Sequence, residues 1–525
     1  MSDHIENIGI RGIESQKPNQ KSEGDSMKNK RREISELLRN NKMTPHEARE
    51  AVLKQMSKEG RFYKDDYRVL YVPKDGTVYQ IQDLKGAGIE DVLSPYNLFR
   101  GDTFFRKVAN FVITSGRQKA KKIKVHHLSY YQESNNQHYF FDFDRSIYKI
   151  RENGVTQVPN GTDDVVFVNE CKAESFCYDE QLEKGNLLNE HVFGKMNLIN
   201  CTLSAEEQKA LIKHWLLSIF FKELNPTRML LLLTGPQASG KSLASELMGH
   251  VIYGKRFRPV TMPSSEKDFD TLMSNHIFFV IDNAETSKRW LEDRLAVAST
   301  GYQVSRRKLY KDNELFESDT DSLVGITAID PVFRRLDVAN RLLIAQFGQL
   351  NRCIESSQLL ADVDTNRNAI MSELIGLLKN TLGSLAKHPV DEKASSHRMA
   401  DFFEFVRRTC DADDADSYVQ DLFDKLAIVQ SEFANGGNLE VNIAKMWINK
   451  HLGEELSTRK IFDSLKELCE SLIVKSPFGE FNSFAQKFKL LAGKLAQEYS
   501  LHSRGCGGHR TLYTFSKTGD ETLDA

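Results

Sequence analysis

Apolar residues change their spacing several times along the chain, and each change marks a different kind of element. Ile34, Leu37 and Leu38 fall on one helical face between Lys28 and Asn40. Thr44, Pro45 and Glu47 then supply an N-cap, a first-turn proline and a capping-box acid for a second helix. From about residue 60 the period shortens. RVLYVPKDGTVYQI reads as a hairpin around Lys74, Asp75 and Gly76, and HYFFDFD, SIYKI and VVFV read as further strands. Ser204 and Glu207 form another capping box, opening a helix predicted to run to Leu224 and to be ended by Pro226. MLLLLT and IFFVID are short apolar runs of the kind that form buried strands. Beyond about 350, Met371, Leu374, Leu377 and Leu378 recur at helical spacing. Near the end, Phe484, Phe488, Leu491 and Leu495 share a helical face, followed by a Gly-rich turn between two short β-runs.

These patterns divide the chain into a polar tail (1–26), a helical segment (27–59), a mixed α+β domain (60–170), an α/β core (200–350), a helical lid or connector (351–440) and a terminal unit (441–525). The tail carries too little apolar surface to fold alone. Several domains also follow from length, since 525 residues exceed what one core accommodates. A hydrophobic content of 40% with 27% charged residues describes an ordinary globular chain.

The formal charge of −2 creates no overall basic field, so any nucleic-acid contact must come from local clusters. GRQKAKKIKVHH (116–127) is the most basic stretch, and it reads equally as a solvated loop or as a phosphate-contacting surface. The 7 cysteines are scattered with no C-x-x-C pair, which fits a reduced, cytoplasmic protein. The polar, acidic start is unlike a secretory signal, and the apolar runs are too short for a membrane span.

The chemistry concentrates after MLLLLT. Gly235, Pro236, Gln237, Ala238, Ser239, Gly240, Lys241 and Ser242 form a G-x-x-x-x-G-K-S loop between an apolar strand and an amphipathic helix, the context a phosphate-binding loop requires. Glycines let the backbone curl around phosphates, and Lys241 reaches the outer ones. Ser242 is placed to hold Mg²⁺, and the helix N-terminus favours the anion. Asp282, at the end of IFFVID, is placed to complete the metal shell, so ATP and Mg²⁺ are the expected ligands. The acid is followed by Asn283 where many ATPases place a second carboxylate. Glu285 is the nearest spare carboxylate, for positioning the attacking water or for capping a helix.

Downstream lie a Trp290-Leu291 helix, the segment Gly301 to Tyr310 containing Arg-Lys-Leu-Tyr, an apolar strand LVGIT, and a turn from Asp337 to Arg341. Together with GPQASGKS and Asp282-Asn283, these residues resemble the AAA+ ATPase module of superfamily 3-type helicases, in particular the primase-helicase ATPases of phages, plasmids and chromosomal islands. The resemblance extends from about 60 to 516, including RMADF at 398–402, and is most specific in the core. It implies an α/β P-loop AAA+ core, a helical lid and a C-terminal winged helix in which Arg504, His509 and Arg510 are candidate phosphate contacts. It also implies a homo-oligomer, hexameric in that group, acting on single-stranded or forked DNA.

By the same resemblance Asp-Asn is the group's ordinary ending for the magnesium strand. Thr327 stands where the group carries a sensor Asn, which puts the hydrolysis rate in question. Arg341 and Arg335 would be arginine fingers reaching a neighbouring subunit, unless they pair with Asp330 or Asp337. Arg306, Arg307, Lys308 and Lys311 belong to a hairpin that would grip DNA in the pore, although charge on a short hairpin also serves solubility.

The expected function is therefore an ATP-dependent DNA helicase or translocase for mobile-element replication. The other reading is an ATP-driven assembly or switch component, for instance an anti-phage defence factor that oligomerises on nucleic acid or a partner without unwinding. One motif invites a further activity: YFFDFDR at 139–145 has the Asp-x-Asp shape of a primase metal strand, although alternating acids on a strand commonly face water.

Overall fold

The computed structural model describes residues 20–40, 42–284, 288–301, 303–307, 315–319, 322–329, 335–350, 355–390, 397–436, 439–471, 476, 478–495, 499–506 and 510–517. The chain forms two compact units: 1–129 with 139–149 and 155–169, and 130–138 with 150–154 and 170–525.

In the first unit, the helices Gln20–Arg39 and Pro45–Glu59 share one core with the strands beyond them. Ile34, Val52 and Met56 are buried with Phe62, Tyr71 and Val108. The helical segment and the mixed domain, separate in the sequence pattern, are thus one hydrophobic body. Gln20 to Ser26, read as part of a tail, form the first turns of a helix. The second helix starts as its capping box predicts, with Thr44 Oγ1 accepting the Glu47 N–H at 3.3 Å and Glu47 answering the Thr44 N–H at 2.8 Å.

Strands Gly60–Lys64 and Val69–Pro73 pair antiparallel, and Val69–Pro73 pairs in turn with Tyr79–Gln80 across the predicted hairpin. Both faces of the central strand are buried. Val69 and Tyr71 enter the helical core, while Leu70 and Val72 pack with Tyr63, Val125 and Val166 on the other side.

The second unit is built on a 5-stranded parallel sheet. Its strands are β1 (Leu230–Thr234), β2 (Val260–Thr261), β3 (Phe278–Asp282), β4 (Leu323–Ala328) and β5 (Leu342–Gln346), in the order β2-β3-β4-β1-β5. Leu230 to Leu233 and Phe278 to Ile281 are each at most 1% exposed, which explains why these strands read as continuous apolar runs rather than alternating ones. Helices α1 (Lys241–Tyr253), α2 (Glu266–Asn275), α3 (Arg289–Ala298) and the short α4 (Leu336–Ala339) connect the strands, and the long α5 (Ser356–Lys387) comes after them.

The capping box at Ser204 forms as predicted, but its helix ends at Ser218 and not at Leu224. Turn-type hydrogen bonds carry the chain from Ile219 to Asn225, which buries Phe220 and Phe221 completely. Pro226 therefore does not terminate the helix. After α5 come helices Ala400–Thr409 and Ala415–Gly436. The chain then forms helices Leu439–Lys450, Thr458–Ser471 and Phe481–Lys494 with a 3-stranded sheet, in which Leu456–Ser457 and Tyr499–Cys506 flank Arg510–Lys517. Phe484, Phe488, Leu491 and Leu495 all enter the core of this last group, as their spacing predicts. Among the described residues no helix is long and apolar enough to cross a membrane.

Candidate nucleotide site

Three adjacent strands, β3, β4 and β1, end at one place. β1 leads into the 235–240 loop, where Gly235 (φ 145), Ala238 (φ 57) and Gly240 (φ 92) all adopt positive φ. A Cβ at 235 would lie 2.3 Å from the Phe347 carbonyl oxygen, so only glycine fits there. At 240 the demand is conformational, since a Cβ would meet nothing nearer than Leu350 Cδ1 at 3.7 Å.

Lys241 opens α1, and its ammonium donates to the carbonyls of Gly235 (2.8 Å) and Pro236 (2.7 Å) and lies 3.2 Å from Ser239 Oγ. The lysine is thereby folded back over the loop whose phosphates it is expected to contact.

Ser242 Oγ donates to Asp282 Oδ1 over 2.7 Å, joining the start of α1 to the end of β3. Thr327, in β4, is fully buried and donates to the same Oδ1 at 2.5 Å. Its hydroxyl also accepts the Asn283 N–H at 3.0 Å, and its carbonyl accepts the Ala284 N–H at 2.9 Å. Threonine at this position therefore fixes the Asp282 carboxylate and the backbone just beyond it. That backbone turns sharply: Asn283 sits at φ 56, a left-handed conformation that Asn tolerates better than most residues. A hydroxyl and a carboxylate in contact form a hard-oxygen pair of the type Mg²⁺ prefers, so the donors fit the expected cation.

The two arginines separate. Arg335, at the N-cap of α4, holds Asp337 through two bonds (Nε to Oδ1 2.9 Å, Nη2 to Oδ2 2.7 Å) and also reaches Asp293 of α3. Its guanidinium keeps the Asp337 carboxyl below the usual range. The side chain remains 40% exposed. Arg341 is nine-tenths buried and donates to the Ala296 carbonyl and, at 2.6 Å, to Ser299 Oγ, covering the C-terminal end of α3. Burial and then the neighbouring Arg398 charge lower its pKa. Within one chain, then, Arg335 makes the acid pairing that the sequence left open, while Arg341 is turned inward.

For the hairpin, strands Gln303–Arg307 and Leu315–Asp319 pair antiparallel, with Arg307 opposite Leu315 at the described end. Lys308 and Lys311 lie outside the described residues, as do Glu285, Asp330 and His509. Arg504 is exposed, 3.9 Å from Glu455.

The Asp-x-Asp stretch takes a structural role. Asp142 is 7% exposed, not facing water, and accepts the N–H groups of Asp144 (2.8 Å) and Ser146 (3.0 Å) in the turn between two strands. Phe143 between the acids has φ 67. Among the described residues no cluster of three or more His, Cys, Asp or Glu side chains is arranged to hold a metal, at this stretch or elsewhere.

One contact had no sequence signal. Arg367 of α5 donates to the carbonyls of His250, Val251 and Ile252 (3.1–3.2 Å), satisfying the last turn of α1. Asp364, one turn earlier, accepts from His250 Nδ1 at 2.8 Å. The helix that begins at the 235–240 loop is thus clamped at its far end.

The stretch that contains this site also matches a known family. Residues 194–424, less than half of the chain, match the family described as actinomycete integrative conjugative element replication protein. No curated protein matches. Two apo structures of the NrS-1 C-terminal region resemble the chain at 11–12% identity, covering 88% of this chain and 98% of theirs, with TM-scores of 0.38 and 0.39. A JCV helicase structure with a bound small molecule does so at 10% identity, covering 42% of this chain and 66% of its own, with a TM-score of 0.20. Similarities this distant carry nothing about ligand or activity.

Proposed function

We propose that the chain is a Mg²⁺-dependent ATPase that works as an oligomeric DNA helicase or translocase in the replication of a mobile element. The observation that carries this reading is the meeting of Lys241, Ser242, Asp282 and Thr327 at the ends of three neighbouring parallel strands, inside the stretch that matches a replication-protein family. The strand order β2-β3-β4-β1-β5 supports the AAA+ superfamily 3-type assignment, with the phosphate loop after β1, Asp282 ending β3 and Thr327 near the end of β4.

In this reading the 235–240 loop and Lys241 hold the ATP phosphates, and Ser242 with Asp282 holds Mg²⁺. When bound, Mg²⁺ neutralises phosphate charge and so favours phosphoryl transfer to water. Thr327 keeps the Asp282 carboxylate fixed, and Asn283 orients water without deprotonating it. Arg335 is the arginine able to serve a neighbouring subunit, after exchanging its acid partners for phosphate. The antiparallel pair at 303–319 supports a DNA-gripping hairpin carrying Arg306, Arg307, Lys308 and Lys311. Three helices with a 3-stranded sheet at the end of the chain support a winged helix, and the helices from 356 to 436 support a lid.

The test is Mg²⁺-dependent ATP hydrolysis, with and without single-stranded DNA, by the wild type and by Lys241→Ala and Asp282→Ala. Hydrolysis stimulated by DNA and lost in both variants is expected. Equal turnover in the wild type and both variants overturns the reading.

A further inference from the structure

We propose that a basic cleft in the first unit binds the phosphodiester backbone of nucleic acid, independently of the nucleotide site. The cleft, about 420 Å³, lies between the end of the Pro45–Glu59 helix, the first strand pair and the loop 159–163. The strand register builds it. Gly60 pairs with Pro73, and the Glu59 carbonyl accepts the Lys74 N–H at 2.8 Å, so Lys58 and Lys74 emerge at the same end of the ladder with Arg61 alongside. A Cβ at Gly60 would come within 2.5 Å of the Val72 carbonyl oxygen, which makes this close approach specific to glycine.

The facing loop is strained and firmly held. Gly161 (φ 91), Asp163 (φ 57) and Asp164 (φ 61) all have positive φ, which costs on the order of 1 kcal/mol or more for each non-glycine residue. Tyr63 Oη lies 3.3 Å from the Gly161 carbonyl and donates to Asp164 Oδ1 at 2.9 Å. Asn160 exchanges two 2.9 Å bonds with the Phe167 backbone.

Both acids of this loop are matched by cations. Asp163 Oδ2 accepts from Tyr139 Oη (2.9 Å) and Lys149 Nζ (2.5 Å). Asp164 accepts from Lys121 Nζ (2.6 Å) and Arg61 Nη1 (3.1 Å). Asp75, beside Lys74, turns onto its own loop to accept the Thr77 N–H. Lys58 and Lys74 are exposed and pair with no acid among the described residues. The acids are answered from within, and two ammonium groups face the opening unanswered.

Phosphate backbone, rather than a free nucleotide, fits this chemistry. The one aromatic ring in the lining, Tyr63, is 1% exposed, so no face is offered to stack a base. Lysines act as point charges without the bidentate geometry that reads base edges. Recognition would be indifferent to sequence and sensitive to salt. The basic stretch 116–127 contributes indirectly: Lys121 neutralises Asp164, and Lys122 pairs with Asp66.

The experiment is fluorescence anisotropy with labelled single-stranded and duplex oligonucleotides over a salt series, without nucleotide and on full-length protein carrying Lys241→Ala. In that background Lys58→Glu/Lys74→Glu should weaken binding several-fold. The salt slope should become shallower by about 1.4 if the ligand is single-stranded, or about 1.8 if duplex. The oligonucleotide that loses more identifies the strand form. Lys85→Glu/Lys107→Glu carries the same charge change on exposed lysines outside the cleft. An equal loss in this control, or unchanged slope and affinity in the cleft variant, overturns the proposal. So does a cleft variant that loses binding of added tripolyphosphate while both oligonucleotides bind as before. The test reads binding without nucleotide in a Lys241→Ala background, so its failure is distinct from failure of the ATPase reading, which wild-type hydrolysis tests separately.

Discussion

Thr327 donates its hydroxyl to Asp282 Oδ1 over 2.5 Å and accepts the Asn283 N–H with the same oxygen at 3.0 Å. One fully buried hydroxyl thus ties β4 to the carboxylate end of β3 and to the left-handed turn beyond it. Thr327→Val removes both bonds and leaves a backbone N–H unsatisfied, so stability should fall by about 1–3 kcal/mol. Thr327→Ser retains the oxygen and should lose less. Urea unfolding together with hydrolysis rate measures both effects. Equal stability and turnover of Val and wild type would contradict the assigned role.

The two loop glycines should fail differently. Gly235→Ala places a methyl group 2.3 Å from the Phe347 carbonyl oxygen, so the loop must rearrange and ATP binding should be lost. Gly240→Ala meets no close atom and faces only its φ of 92, a cost of roughly 1–2 kcal/mol. Titration with a fluorescent ATP analogue should show abolished binding for the first and weakened binding for the second.

Arg335 and Arg341 should also separate. Arg341→Ala strips the buried Ala296 carbonyl and Ser299 hydroxyl of a charged donor and should cost about 1–3 kcal/mol in thermal or urea unfolding. The Arg335 pairs are partly exposed, so Arg335→Ala should cost at most about 1 kcal/mol. If Arg335 acts across a subunit boundary, inactive Arg335→Ala and inactive Lys241→Ala proteins should regain part of their ATPase activity when mixed. No recovery at any mixing ratio would count against that role.

His138 is buried, and desolvation lowers its pKa from 6.5 to about 4. Its Nε2 lies 2.9 Å from the Phe220 carbonyl, while Nδ1 has no partner. A folded pKa below the unfolded one means the neutral form is favoured by folding. This contribution is complete above about pH 6.5 and is lost as pH falls from 6.5 towards 4, by up to roughly 3 kcal/mol. His214 is shifted in the same direction by burial. His138→Gln should flatten the fall in unfolding free energy across this window, and an unchanged slope would reject the assignment.

Much of the geometry of the candidate site was legible because its determinants are local. GPQASGKS specifies the positive-φ backbone of the loop, and a run such as IFFVID, apolar until its final Asp, marks a buried strand ending at a carboxylate. The capping boxes at Thr44 and Ser204 were legible for the same reason. Features that stayed hidden depend on long-range register. Nothing near Thr327 announces Asp282, 45 residues away, as its partner. Arg367 reaches the end of α1 across 115 to 117 positions. The Ser218 helix end was missed because tertiary burial of Phe220 and Phe221, rather than a proline, decides where that helix stops. Asp142 was misread as water-facing because a turn acid and a strand acid look alike in sequence.

Strand displacement on a forked DNA duplex bears most directly on the helicase reading, comparing wild type with Lys241→Ala in the presence of ATP and Mg²⁺. The wild type should unwind the fork only when ATP is present, and the variant should not unwind it at all. ATP hydrolysis by the wild type without any strand displacement would contradict the reading.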